Sequence, residues 1–393
     1  MTIVEVVKRV GGDRSIRSAA FSFALTRLIV FTTFIVGTHI QVVESNRLFG
    51  EDPQELQISL VSPGILQGLR EIATRGDGGW YLHIASRGYE RIPFEQTEPH
   101  NWAFFPLFPM LWRAAAALTG GHLLTGLILT NVLFFFALIV LHRTATAYGL
   151  EEGSADRAVF YTAAFPASYF FSIPMAESLF LLLTASSFLT AKRDRWFTAS
   201  VLGMFAAGTR LSGLLLLPTL LLLYWQSHRR FDLRVLWLLV IPVSLFGFMV
   251  YLNTITGNPL AFAAIEPAWG RKAQFFLFTL WEYLQAPLHL SYKWNFKALN
   301  FLATVLAFGC GFLLLRRRQW AFAFYVLAAA ILPLSSGTLQ SMTRYMMVAF
   351  PIFFVLGTTG KSLAMDRIIS VAFVASLAVM TTLCAIIVTL ALS

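Results

Sequence analysis

The sequence predicts an all-α polytopic membrane protein with about eleven transmembrane helices. Three observations lead there. The 393-residue chain is 57% hydrophobic and only 13% charged, with a mean hydropathy of +0.68, whereas soluble domains carry about 25% charged residues. Its apolar runs reach about 20 residues, enough to cross a bilayer as a helix. Those runs are too long for the roughly 10-residue alternating strands of a membrane barrel. Lipid leaves unpaired backbone groups without partners, so helices remain. The chain reads as one helical membrane unit, 1–393.

Candidate spans are 19–43, 122–141, 156–173, 175–191, 196–209, 211–226, 235–256, 298–315, 319–334, 345–360 and 368–391. The first follows Lys8, Arg9, Arg14 and Arg17. It is longer than a signal-peptide core and lacks a small-residue cleavage site, so it reads as a span. The run Trp102–Leu118 is ambiguous, being short and carrying Pro106, Pro109 and Arg113. The positive-inside rule arbitrates. With the N-terminus inside and 102–118 not spanning, Lys192/Arg193/Arg195, Arg229/Arg230 and Arg316/Arg317/Arg318 all fall on the inside. Had 102–118 spanned, all three clusters would lie outside. It is therefore expected to be an interfacial helix on the outer face. The same distribution explains the net charge of +10 and removes nucleic acid as a partner.

Two long outer segments follow, 44–121 and 257–297. Ordered loops on a helical scaffold commonly carry function, and both are rich in the aromatic residues that sit at headgroup depth. No internal repeat is visible, which counts against an inverted-repeat transporter, the rival from another functional class. Cys310 and Cys384 lie in apolar runs and form no disulfide framework. No Walker or Rossmann glycine pattern appears, which speaks against a nucleotide donor. His83, His100, His122 and His289 are scattered, and no ligand cluster asks for a metal; no cofactor is expected.

Five stretches carry isolated polar groups. In RGDGGWYLHIASRGY, Arg75–Tyr89, Asp77 opens a short helix that Gly88 stops. Helical spacing puts Trp80, Tyr81 and Ile84 on one face. Asp77 reads equally as an N-cap and as a general base, and the two are compatible. HNWAFFPLFP, His100–Pro109, reads as a stiff interfacial anchor. In FPASYFFSIPMAESLF, Phe165–Phe180, Glu177 is either a helix-start acid or a functional group, because ionisable residues near membrane depth are costly. In AAGTRLSGLLLLP, Arg210 either snorkels or contacts an anion such as phosphate. In SSGTLQSMTRYMMVAFP, Arg344 starts a span beside Gln340 and Ser341. Arg210 and Arg344 are expected on the same face as Asp77. Arg27, inside the first span, is expected to snorkel.

Taken together and in order, these stretches resemble the PIG-V type mannosyltransferases and their prokaryotic relatives, of the GT-C superfamily. D-G-G-W-Y-L-H-I-A-S-R-G-Y is similar to that family's W-D-x-x-[HW]-[FY]-x-x-I-A-x-x-G-Y. F-F-P-L-F-P is similar to F-F-P-L-Y-P, and P-A-S-Y-F-F-S-I-P-M-A-E-S-L-F to P-A-S-x-F-F-S-x-x-Y-S-E-S-L-F. T-R-L-S-G-L and L-Q-S-M-T-R-Y also match, so the likeness covers about residues 70–355. The sequence departs at Gly76, where the family has Trp, and at Met175 and Ala176, where it has Tyr and Ser.

The resemblance implies a GT-C fold and an inverting transfer of mannose from polyprenyl-phosphate mannose, on the extracytoplasmic face. Eukaryotic members add the second mannose of the glycosylphosphatidylinositol anchor. A 393-residue chain is compact for such a member, which points to a prokaryotic homologue with a lipid or glycan acceptor. The membrane would be the plasma membrane in a prokaryote or the endoplasmic reticulum in a eukaryote. The matching catalytic acid is Asp77. Arg210 and Arg344, with Arg75 third, are expected to hold the lipid phosphate, and Glu177 to orient acceptor or sugar. Trp80, Tyr81 and Gln340 are expected to line the substrate. Another sugar or a protein acceptor is the alternative within the superfamily.

Overall fold

The computed structural model describes residues 12–44, 56–60, 65–230, 232–285 and 297–386. Lys8 and Arg9, His289 and the end of the last expected span lie outside them. After α1 (Arg14–Thr38) come a two-stranded antiparallel hairpin, β1 (Ile40–Glu44) with β2 (Leu56–Leu60), then α2 (Ile65–Thr74), α3 (Gly78–Arg87) and α4 (Leu107–Thr119). The bundle continues with α5 (His122–Ala147), α6 (Glu152–Ala164), α7 (Glu177–Lys192), α8 (Trp196–Ala207), α9 (Leu216–His228) and α10 (Val243–Thr256). It closes with α11 (Ala261–Ala264), α12 (Phe276–Gln285), α13 (Lys297–Arg316), α14 (Trp320–Leu334), α15 (Met342–Met346), α16 (Pro351–Thr359) and α17 (Leu363–Ile386).

Among the described residues, five helical segments are long and apolar enough to cross a membrane: Arg14–Thr38, His122–Ala147, Leu233–Thr256 (the 3-10 stretch Leu233–Val240 running into α10), Ala298–Arg316 and Leu363–Ile386. The six other expected spans are shorter helices, from the 9 residues of α16 to the 16 of α7. Their shortness has one cause. α6 and α7 and α8 and α9 are joined by irregular or 3-10 backbone at 165–176 and 208–215, and α14 and α16 by irregular backbone at 335–341 and 347–350 around the five-residue α15. Pro166, Pro174 and Gly208 interrupt the helical pattern there. All three breaks lie at the same end of the bundle, which the first and second long loops cover.

The expected interfacial helix is α4, flanked by the 3-10 turn Asn101–Ala103. It packs on α3 and α5 rather than lying free. Its Trp112 fits against Gly126, where any Cβ would come within 2.3 Å of the ring, and its indole N–H donates to the His122 carbonyl at 2.8 Å. The helix ends at Gly120, φ 77°.

The end opposite the breaks carries the basic turns. Arg14 pairs with Asp156 at 2.6 Å, Arg143 with Asp13 at 2.8 Å and Lys361 with Glu151 at 2.8 Å.

Arg27 does not snorkel. It is buried, donates to the carbonyls of Ser168 (2.9 Å) and Ala163 (3.1 Å) and to the hydroxyls of Ser168 and Ser172, and lies over the Phe134 ring. The break after α6 leaves carbonyls without helical partners, and a guanidinium reaching from α1 supplies the donors.

Arg27→Leu should therefore lower stability by about 3 kcal/mol, the cost of removing a buried charged donor from its hydrogen bonds. Thermal unfolding in detergent checks this, and Arg27→Lys, with fewer donors, should recover only part of the loss.

Candidate active site

Each break supplies one charged side chain. Glu177 is the first residue of α7 and fully buried. Arg210 sits in extended backbone (φ −157°) before the 3-10 turn Leu211–Leu215. Arg344 lies in the short α15, whose position Asn300 of α13 fixes by accepting from the Thr343 amide (3.0 Å) and hydroxyl (2.9 Å). One oxygen of Glu177, Oε1, accepts from Arg210 Nη1 and from Arg344 Nε, the latter at 2.5 Å. Arg344 Nη1 also donates to Asp77 Oδ2. The four residues form one chain of ion pairs, Asp77–Arg344–Glu177–Arg210.

Asp77 precedes α3, but its side chain caps nothing. Its backbone is already helical (φ −64°, ψ −10°), which points the carboxylate away from the α3 amides and toward Arg344. The preceding Gly76 has φ 60°, a left-handed turn that glycine makes without strain. This is the position where the resembling family has Trp. Gly88 does stop the helix, at φ 96°. Of the expected surface face, Tyr81 and Ile84 are buried in the protein and Trp80 half-buried.

A cavity of about 400 Å³ opens over this chain of charges. Asp77, Arg210, Arg344, Gln340, Trp80 and Tyr81 all line it. Among the described residues, Asp77 Oδ1 has no hydrogen-bond partner and its side chain is 24% exposed. Two expected residues stand elsewhere. Glu177 lies behind the arginines, outside the cavity lining, and pairs with both of them. Arg75 turns to the last helix, donating to the Ala385 carbonyl at 3.0 Å and lying over Phe34. It cannot hold a phosphate in this cavity. Arg210 points inward to Glu177 and over the Tyr345 ring, 5.1 Å from its centroid, so it does not snorkel.

The second loop adds residues that the sequence did not single out. Glu266 and Arg271 line the cavity, paired at 3.1 Å, and Arg271 Nη2 donates to the Tyr345 hydroxyl at 2.9 Å. Burial pushes the Glu266 carboxyl above its ordinary range, with Arg271 opposing. Trp269 meets Trp80 edge-on at 5.4 Å. The loop is fixed by backbone pairing of Lys272 to Ser336 (3.0 Å) and Gln274 to Ser335 (2.9 Å). Gly337, φ 73°, permits that approach, since a Cβ there would lie 2.8 Å from the Lys272 carbonyl. The available signal was the segment E-P-A-W-G-R, opposite charges around an aromatic turn. Among the described residues, no three His, Cys, Asp or Glu side chains are grouped to hold a metal ion.

Residues 17–238 match the family model for Mannosyltransferase (PIG-V). The chain is 31% identical over 179 residues to mouse GPI alpha-1,6-mannosyltransferase 2, covering 43% of this chain and 35% of that one. It is 32% identical over 164 residues to the human protein of the same name, covering 38% and 31%. The match thus spans about a third of the length of these relatives. In fold it is similar to the Archaeoglobus fulgidus oligosaccharyltransferase, with a TM-score of 0.53, 11% identity and coverage of 93% of this chain and 56% of that one for the apo form. The form with zinc and sulfate gives 0.50, 12%, 93% and 53%. The fold is that of the GT-C membrane glycosyltransferases, and with its five long apolar helices the protein is an integral membrane protein.

Glu177→Gln should cost about 3 kcal/mol of stability, because it leaves two buried guanidinium groups facing each other with their shared counter-charge gone. The double variant Glu177→Gln/Arg210→Gln should recover at least half. Thermal unfolding of these and of Arg210→Gln measures the coupling; a double-variant loss equal to the sum of the two single losses would mean that the two side chains act independently.

Proposed function

The chain belongs to the PIG-V family of mannosyltransferases, and on that premise we propose that it moves mannose, with inversion, from a polyprenyl-phosphate donor to a hydroxyl of a lipid or glycan on the extracytoplasmic face. The observation that carries this reading is Asp77. One of its carboxylate oxygens is fixed by Arg344, and the other faces the cavity without a partner among the described residues.

In this mechanism Asp77 Oδ1 takes the proton of the acceptor hydroxyl as that oxygen attacks the anomeric carbon. The bond from the anomeric carbon to the phosphate oxygen breaks, and its electron pair leaves with the lipid phosphate. The sugar passes through an oxocarbenium-like transition state, as in glycoside hydrolysis. Charge growing on the phosphate calls for preorganised cations. Arg210 and Arg344 each keep guanidinium N–H groups beyond those given to Glu177 and Asp77. Ala329, Leu332 and Val348 make an apolar wall, and Leu332 is 39% exposed. That suits a donor whose tail stays in lipid while its phosphate enters the cavity. The aromatic rings of Trp80, Trp269 and Tyr81 suit the apolar face of a sugar. Sidedness is supported by the basic turns, which lie at the end away from the cavity.

Asp77→Asn should lower transfer by about 10²–10⁴-fold, the usual worth of a general base, with expression retained. Purified protein, labelled polyprenyl-phosphate mannose and extracted membrane lipids give the assay. Near-normal turnover would remove Asp77 from the reaction, and equal use of the glucose donor would remove the assignment of mannose. Arg210→Gln should raise the donor KM more than the acceptor KM.

Sidedness has its own test. Cysteine at the exposed Glu98 should react with a membrane-impermeant maleimide in intact cells, whereas cysteine at the exposed Arg193 should react only after permeabilisation. The reverse pattern would place the cavity in the cytoplasm.

A further inference from the structure

At the end of the bundle away from Asp77, a cleft of about 600 Å³ lies between the C-terminal end of α9 and the turn from α13 to α14. Its walls are Trp225 and Trp320, and its mouth carries Arg229, Arg316 and Arg318. The Gln226 side chain ties the two sides by donating to the Arg318 carbonyl at 3.4 Å.

Several charges at this end are already paired. Arg14, Arg143, Arg234 and Lys361 each face a carboxylate. Among the described residues Arg229, Arg316 and Arg318 have none; Arg229 lies over Trp225 (5.2 Å) and Arg316 over Phe312 (5.8 Å). A basic residue in a last helical turn complements the helix dipole, which accounts for Arg316 alone. Arg229 and Arg318 both have φ of 57°. Glycine would hold that left-handed backbone with less strain, so the turns themselves give no reason for arginine.

The depth of the cleft is equally informative. One helical turn below Trp225 is Leu221, 37% exposed, and one turn below Arg316 is Phe312, 58% exposed. Trp225 and Trp320 are themselves 43% and 45% exposed. Tryptophan at the boundary between an apolar belt and a charged end marks the membrane interface. The cleft therefore sets a cationic mouth beside exposed apolar side chains on the two helices that lead to it. A soluble anion has no use for those apolar side chains, and an uncharged lipid has none for the mouth.

We propose that this cleft binds the phosphodiester headgroup of an anionic phospholipid, with an acyl chain along Leu221 and Phe312. Each arginine near an anionic membrane surface is worth about a five-fold gain, so three give roughly a hundred-fold preference over a zwitterionic lipid. The test is native mass spectrometry of the full chain in detergent, with phosphatidylglycerol or phosphatidylcholine added, with and without 10 mM inorganic phosphate (about 10 mM suffices for a free-anion competitor). The wild type should retain phosphatidylglycerol selectively, and phosphate should not displace it. The triple variant Arg229→Gln/Arg316→Gln/Arg318→Gln should lose at least about ten-fold of that selectivity, while Arg193→Gln/Arg195→Gln, at the same end but outside the cleft, should keep it. Should the triple variant fail to fold, Arg316→Gln alone should lose about five-fold. Undiminished selectivity in the cleft variants overturns the proposal. So do an equal loss in the control pair, which would mean diffuse surface charge, and displacement by phosphate, which would mean a soluble-anion site.

Discussion

A single carboxylate oxygen, Glu177 Oε1, takes hydrogen bonds from both Arg210 and Arg344 in the interior of the bundle. Neither arginine would be tolerable there alone, since an unpaired charge in a low-dielectric interior costs several kcal/mol. Nor would the glutamate. The arrangement forces three separate hairpin turns, after α6, α8 and α14, to one depth and one side of the bundle. Helix ends at that depth must leave backbone groups unpaired, and polar side chains must complete them. Arg27 does so for the first break, and the Asn300 amide oxygen does so for the third. The irregular backbone and the charges are thus one feature: broken helices make room for the cavity, and the ion pairs make the breaks stable.

The long loops then complete a site whose floor is already set. Asp77 reaches Arg344 because the Gly76 turn reverses the chain between α2 and α3. Arg271 comes over the cavity because residues 272 and 274 pair with the backbone of the third break. Aromatic contacts among Trp80, Phe104 and Trp269 join the two loops. Both loops are therefore anchored to the same breaks that carry the arginines. A change in the breaks would move Asp77 and the cavity roof together.

Much of this was legible in the sequence because an isolated charge in an apolar run has few physical explanations. Asp77, Glu177, Arg210 and Arg344 stood out for that reason, and the structure gathers them. Arg27 and Arg75 stood out identically, yet they serve backbone carbonyls at Ser168, Ala163 and Ala385. One-dimensional context shows that a buried cation needs acceptors but not whether they are a ligand or the chain itself. Glu266 and Arg271 escaped for the opposite reason: in an already polar loop a charge carries no anomaly. The short helices escaped too, since hydropathy counts apolar residues whether or not their backbone is helical. The side chain of Asp77 was expected at the helix start. Capping geometry depends on ψ at one residue, and hydrophobic periodicity does not report that.

The pairing of Arg344 has a consequence for the proposed chemistry. Asp77, Glu177 and Glu266 balance Arg210, Arg271 and Arg344 around the cavity. In the proposed transfer the proton moves from the acceptor to Asp77 while the donor phosphate gains one negative charge, so the total is unchanged and only its position shifts. Arg344 is the cation held between Asp77 and the network behind it. As Asp77 is neutralised its hold on Arg344 weakens, and the guanidinium is available to the charge appearing on the phosphate. Glu177 keeps Arg344 in place during that exchange through Nε, which faces away from Asp77's partner atom Nη1. A lone arginine beside Asp77 would have to choose between stabilising the base and stabilising the leaving group. Anchored from behind by a buried glutamate, the same arginine serves first one and then the other without moving, which is what electrostatic preorganisation requires.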